Sequence, residues 1–106
     1  MQSAAEEHVQ FVLNANLKRG MEYVGGKLKV TNEKLYFNPQ PANIQKKRLV
    51  ISVKEIKAIE KTKILGISPN GVLIHLKNDA SYKFTIGMPW ANKNQQFIDY
   101  INDLIT

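Results

Sequence analysis

SYKFTIGMPWANKNQQFIDYINDLIT, residues 81–106, changes its hydrophobic rhythm partway along, and that change decides the fold. Tyr82, Phe84 and Ile86 alternate with Ser81, Lys83 and Thr85, the period of two that marks a half-buried strand. After Gly87-Met88-Pro89 the period becomes about 3.6 residues, and Trp90, Phe97, Ile98, Ile101, Leu104 and Ile105 fall on one helical face. Pro89 suits a first helical turn, and Asn92 with Gln95 is an alternative capping pair. Burying five or six such side chains contributes roughly 8–15 kcal/mol of gross transfer energy as an upper bound. That is comparable with the net stability of a whole domain. The helix is therefore expected to belong to the core.

Upstream of this point the alternation of strands governs. Val9, Phe11, Leu13, Ala15 and Leu17 form the first strand, which Lys18-Arg19-Gly20 breaks. In the second, Tyr23 to Val30, positions Val24, Gly26, Leu28 and Val30 face one way and Gly25, Lys27 and Lys29 the other. The Gly25-Gly26 pair predicts a bulge or strong bend. Thr31-Asn32-Glu33 is a turn cluster, and Lys34 to Asn38 returns with Leu35 and Phe37 inward. Pro39 to Asn43 opens a loop that carries Lys46-Lys47-Arg48.

Leu49 to Val53 is the fourth strand, followed by a short Lys54-Glu55 connection. Ile56 to Lys63 suits a strand with Ile56, Ala58, Glu60 and Thr62 on one face, although Ala58, Glu60 and Lys61 would also suit a helix. Pro69-Asn70-Gly71 predicts a tight hairpin turn, because Asn-Gly readily takes positive φ. Val72 to Lys77 is the next strand, and Asn78-Asp79-Ala80 turns the chain again. The first eight residues are polar, small and acidic, and are expected to be a loose segment before a domain spanning 9–106. The fold class is α+β: a barrel-like sandwich of about seven antiparallel strands with one C-terminal α-helix plugging its open end.

Composition sets limits on function. A chain of 106 residues is the size of one domain, and it has no run of about 18 apolar residues that would span a membrane. The N-terminus lacks basic residues followed by an apolar block, so it does not read as a secretory signal. Cysteine is absent, which removes disulfides, thiolate catalysis and zinc–thiolate sites together, and suits the cytoplasm. His8 and His75 have no metal-binding spacing, so no metal is expected. No nucleophile elbow or phosphate-binding loop occurs, since Val24-Gly25-Gly26-Lys27 lacks the required spacing. Asp99 and Asp103 lie one helical turn apart, on what reads as a solvated face rather than as a catalytic pair. Neither an enzyme nor a cofactor is expected.

The basic residues carry the functional signal. Net charge is +6, and thirteen of the fifteen basic residues are lysine. Lys46-Lys47-Arg48 and Lys18-Arg19 are contiguous, and Lys27, Lys29 and Lys34 are expected to share an outer face. The alternative is ordinary surface lysine that protects strand edges from aggregation. Each lysine or arginine near an anionic membrane contributes about 1 kcal/mol. Three to five give roughly 3–5 kcal/mol, which is millimolar-scale binding. Charge alone cannot hold the domain on a membrane; a headgroup pocket, inserted apolar side chains or avidity must add to it.

A family pattern now emerges. Gly26-Lys27-Leu28-Lys29-Val30-Thr31-Asn32-Glu33-Lys34-Leu35-Tyr36-Phe37-Asn38-Pro39 resembles the opening hairpin of the GRAM domain. Ile51 to Ile56, the Leu65-Gly66-Ile67-Ser68-Pro69-Asn70-Gly71 loop of small bacterial members, and Tyr82-x-Phe84 extend the resemblance from about Phe11 to Ile105. Asp79-Ala80 stands where the family often has Asp-Gly. The resemblance implies a pleckstrin-homology-like fold and a non-enzymatic intracellular module, with no fixed set of ligand residues to carry over.

Together these features point to peripheral association with anionic phospholipid headgroups at the inner face of a membrane, through Lys46, Lys47, Arg48, Lys18, Arg19, Lys27 and Lys29. The alternative is a protein-interaction module that takes a peptide at a strand edge or beside the C-terminal helix. Nucleic acid is a less suitable partner, because most of the aromatic residues are committed to the core and only Tyr23 and Tyr36 are left for base stacking.

Overall fold

Alternating burial builds the first half of the molecule. In the computed structural model, which describes residues 6–41, 47–64 and 66–106, strand β1 is Val9–Arg19. It buries Leu13, Ala15 and Leu17 and exposes the residues between them. Strands β2 (Glu22–Thr31), β3 (Lys34–Pro39) and β4 (Leu49–Ser52) follow, each antiparallel to the one before. A single 3-10 turn, Val53–Glu55, leads into β5 (Ile56–Ile64), β6 (Ser68–Leu76) and β7 (Ser81–Ile86). The sheet order is β4-β3-β2-β1-β7-β6-β5, so the last strand of the chain joins the first.

The sheet is curled. Phe37 on β3 and Phe84 on β7 are separated by two strands, a spacing of about 14 Å in a flat sheet. Their rings nevertheless meet at 5.7 Å between centroids, edge to face. Helix α1 (Lys93–Ile105) covers one end of this curl and buries Phe97, Ile98 and Ile101 in the same core. Tyr100 packs edge-on against Phe11 at 5.6 Å. The seven antiparallel strands and terminal helix agree with the architecture expected from the sequence.

Several local expectations are corrected. Trp90 does not join the helical stripe: it is 78% exposed and precedes a helix that starts at Lys93. Gly87 (φ 62°) and a turn closed by Ala91 N–H to the Met88 carbonyl divert the chain first, so Pro89 lies in that turn. Asn92 is the N-cap, but in a left-handed conformation and without a side-chain capping bond. Gln95 bonds Asp99 instead. Asn94 occupies the buried seat at the first turn, and Leu104 is 38% exposed.

Asn70-Gly71 is not a turn either. Both lie within β6, and the reversal sits earlier, where Gly66 has φ 73° and the Ile67 amide donates to the Ile64 carbonyl. Gly71 is required for another reason: a Cβ there would lie 2.6 Å from the Thr62 carbonyl oxygen. The Gly25-Gly26 pair makes no bulge, since Asn16 and Ala15 pair with it in unbroken register. A Cβ on Gly26 would sit 2.3 Å from the Asn38 carbonyl oxygen, so β2 and β3 approach closely there. In β5, register shifts between Ile56 and Ala58 and between Thr62 and Ile64 turn the strand. Ile56, Ile59 and Ile64 are buried while Ala58 is exposed, so the even-numbered residues do not share one face.

The segment expected to be loose is tied down over its last three residues. Asn32 accepts from the His8 amide at 2.7 Å, and its Nδ2 donates to the Glu6 carbonyl at 3.1 Å. Glu7 Oε2 accepts from Thr31 Oγ1 at 2.8 Å and from the Tyr36 hydroxyl at 2.5 Å.

Candidate functional site

Strand register decides where each predicted cation goes. Lys27 and Lys29 alternate with the buried Gly26, Leu28 and Val30, so they lie on the outer surface, opposite Asn14 and Val12 of β1. Lys18, exposed on β1 opposite Tyr23, shares that surface. Four residue steps along β2, about 13 Å, separate Tyr23 from Lys27, so these lysines are strung along the sheet rather than clustered. Two are engaged locally: Lys27 Nζ donates to Asn14 Oδ1, and Lys29 Nζ lies 4.5 Å from the centre of the Tyr36 ring. Tyr36 is thereby occupied on its face by Lys29 and at its hydroxyl by Glu7.

Arg19 follows the inward alternation of β1 at the mouth of the curl and is half-buried. Its Nη1 is buried and meets no acceptor, alone in this among the described residues. Lys47 and Arg48 are exposed and precede Leu49, which pairs with Phe37, so they enter β4 near the Pro39 end of β3. Pro39 pairs with Gly26, and the Gln40 amide donates to the Gly25 carbonyl at 3.0 Å. The β1–β2 turn and the β3–β4 connection therefore lie at the same end of the sheet. Lys46 falls outside the described residues. Met21, at the tip of the β1–β2 turn beside Arg19, is 98% exposed.

A cleft of about 720 Å³ lies at the other end, beside the C-terminal helix where the alternative reading sought a peptide site, but the lysines that line it were not anticipated. It lies between the β2–β3 turn, the 3-10 turn and the C-terminal end of α1, and its rim carries Lys34, Lys54, Lys57 and Lys77. Leu104 and Ile105 of α1, with Val53 and Ile56, give its apolar lining, and Glu33 is its one acidic lining residue. Four lysines against one glutamate leave a formal balance of +3. These lysines are dispersed over 44 positions of sequence, from Lys34 to Lys77, so no contiguous run announced them. The only local signal was the Lys54-Glu55-Ile56-Lys57 spacing around a short connection.

The acidic and histidine side chains outside these two regions lie on the surface. Asp99 and Asp103 are exposed. His75 Nε2 lies 2.7 Å from Glu60 Oε2 on the outer sheet surface, with both side chains substantially exposed. Among the described residues no three His, Asp or Glu side chains come together as metal ligands, and no helix is long and apolar enough to cross a membrane.

A family model described as GRAM domain matches residues 1–104. No curated protein sequence matches. Among solved structures, the C-terminal domain of an unknown protein from Leishmania infantum superposes with TM-score 0.72 at 18% identity, covering 92% of this chain and 84% of that one. The Slm1 PH domain in complex with inositol 4-phosphate superposes with TM-score 0.70 at 10% identity, covering 92% and 98% of the two chains. The same domain in complex with phosphoserine gives TM-score 0.67 at 13% identity, covering 89% and 92%. At these identities the likeness is one of fold.

Proposed function

The chain belongs to the GRAM domain family, and on that premise we propose that it is a non-catalytic module that binds anionic phospholipid headgroups at the inner, cytoplasmic face of a membrane. The observation that carries the reading is the Arg19 guanidinium. Its buried Nη1 has no acceptor in the protein, and a buried donor left unmet costs about 1–3 kcal/mol. Turning this half-buried side chain outward would release the unmet donor, and a phosphate oxygen could then accept a charge-assisted bond from it.

Lys18, Lys47 and Arg48 stand at the same end and would add attraction, with Lys46 next to Lys47 in the sequence and Lys27 and Lys29 further along the outer surface. Charge of this kind gives only millimolar-scale binding. Met21 supplies what charge lacks, an apolar side chain fully presented at the hairpin tip beside the cations. The solved Slm1 PH domain complexes with inositol 4-phosphate and phosphoserine are consistent with phosphate recognition on this fold.

Sedimentation with vesicles tests the proposal. Vesicles containing anionic lipid should carry the protein down at low salt, neutral vesicles should not, and binding should fall as salt rises. Arg19→Gln and Met21→Ser should each weaken binding several-fold while the fold is retained. Absence of sedimentation with anionic vesicles at low salt would overturn it.

A further inference from the structure

We infer that the lysine-rimmed cleft at the end of α1 is a docking site for an acidic, extended segment of a partner protein, with an aliphatic side chain seated on Leu104 and Ile105. The cleft and the Arg19 end stand at opposite ends of β2. Ten residues of strand, about 30 Å, separate Glu22 at one end from Thr31 at the other. In a molecule of 42 × 28 × 27 Å, a flat bilayer that touches Met21 and Arg19 leaves the cleft facing away from it. The inference goes beyond the headgroup reading and stands on separate residues.

The chemistry of the cleft selects the occupant. Its rim is positive through four lysines, which are point charges on flexible stems, and it contains no arginine fork of the kind that grips phosphate. The helix end that forms its wall is the C-terminal one, whose unpaired carbonyls carry partial negative charge. A compact anion at the centre would be repelled by that end. An apolar side chain at the centre, with carboxylates spread to Lys34, Lys54, Lys57 and Lys77, suits both features. About 720 Å³ holds a few residues of extended chain, and is within the range of recognition pockets. The cleft also lies where the two outermost strands of the sheet, β4 and β5, are joined by the 3-10 turn, a place where an extended segment can run alongside backbone.

The test is a methyl and amide NMR titration of the whole chain with acetyl-Glu-Glu-Leu-Glu-Glu-amide at low salt. Shifts should gather at Leu104, Ile105, Lys54 and Lys57. Replacing the glutamates of the peptide by glutamine should abolish them. The K54Q/K57Q double variant should weaken the apparent Kd about three- to thirtyfold, the size expected for losing two exposed ion pairs. Its sedimentation with anionic vesicles should be unchanged, so failure of this site and failure of the headgroup reading are separable. Leu104→Ser should weaken binding as well, and the lysine variants keep the test decisive if that variant unfolds. No shifts at Leu104 and Ile105, equal binding of the glutamine peptide, or displacement of the peptide from those signals by an inositol phosphate would each overturn the inference.

Discussion

Asn94 on α1 binds the backbone of β6 through one side chain: its Nδ2 donates to the Pro69 carbonyl at 2.9 Å and to the Gly71 carbonyl at 3.3 Å. Asn94 is 2% exposed, so water cannot readily replace these bonds. Close by, Asn70 Nδ2 donates to the Gly87 carbonyl at 2.9 Å and ties β6 to the connection that precedes the helix. Two asparagines thus anchor the start of α1, where neither charge nor a side-chain cap does so. Asn94→Ala should destabilise the domain by about 1–3 kcal/mol, the cost of taking a donor from the buried Gly71 carbonyl and the part-buried Pro69 carbonyl. Urea unfolding should show a lower midpoint with an unchanged slope.

Gly26, which the sequence suggests as a bend residue, should behave differently from a true turn glycine. Gly26→Ala places a methyl 2.3 Å from the Asn38 carbonyl oxygen and 2.9 Å from Pro39 Cα, both backbone atoms. The strands must separate, and the loss should reach about 1–3 kcal/mol or more. Gly20, with φ 61°, has nothing within 4 Å of the place a methyl would take, so alanine there meets only the left-handed backbone penalty. That penalty is about 1–2 kcal/mol. Thermal or urea unfolding of the pair should rank Gly26→Ala below Gly20→Ala; the reverse order would contradict the close approach of β2 and β3.

The hydrophobic rhythm made the strand order along the chain and the final helix legible, because burial of Leu13, Leu28, Phe37, Ile74, Phe84 and Phe97 obeys simple periodicity. Turn chemistry was less reliable. Asn70-Gly71 has the composition of a hairpin turn, yet the asparagine is held by Gly87 and the glycine by its approach to Thr62, both long-range effects. Trp90 fits a helical wheel, but a turn intervenes before the helix begins. The cations were legible as residues and not as a site. Alternation placed Lys27 and Lys29 outward, whereas the meeting of Lys34, Lys54, Lys57 and Lys77 depends on how the ends of the sheet curl together.

Glu7 gives the N-terminal segment a pH-dependent hold. The Tyr36 hydroxyl, then Thr31, then the charges of Lys34 and Lys29 lower its pKa from the ordinary 4.5. A depressed carboxylate contributes stability that is fully present above the unfolded value and lost as pH falls through the lower folded value. Attachment of the segment should therefore be intact at neutral pH and fade below about 4.5. The same bond raises the pKa of Tyr36 above its ordinary 10, so it should also weaken when the phenol ionises at high pH. Amide exchange at His8 and Asn32 should speed up at both extremes relative to the intrinsic rates. Glu7→Gln should remove the acid transition; persistence of that transition in the variant would assign it to another group.

Trp90 is the sole tryptophan, so its fluorescence reports on one position. At 78% exposure its emission should already be close to that of tryptophan in water, and iodide should quench it readily. Unfolding should then move the emission maximum very little, although circular dichroism records a full transition. Trp90→Ala should change stability by no more than about 0.5 kcal/mol, as expected for an exposed site. Phe97→Ala, at a fully buried position on the same side of the chain reversal, should cost about 3–5 kcal/mol. A blue-shifted emission that moves red on unfolding, together with a large loss in Trp90→Ala, would place the indole in the core and return the start of the helical stripe to residue 90.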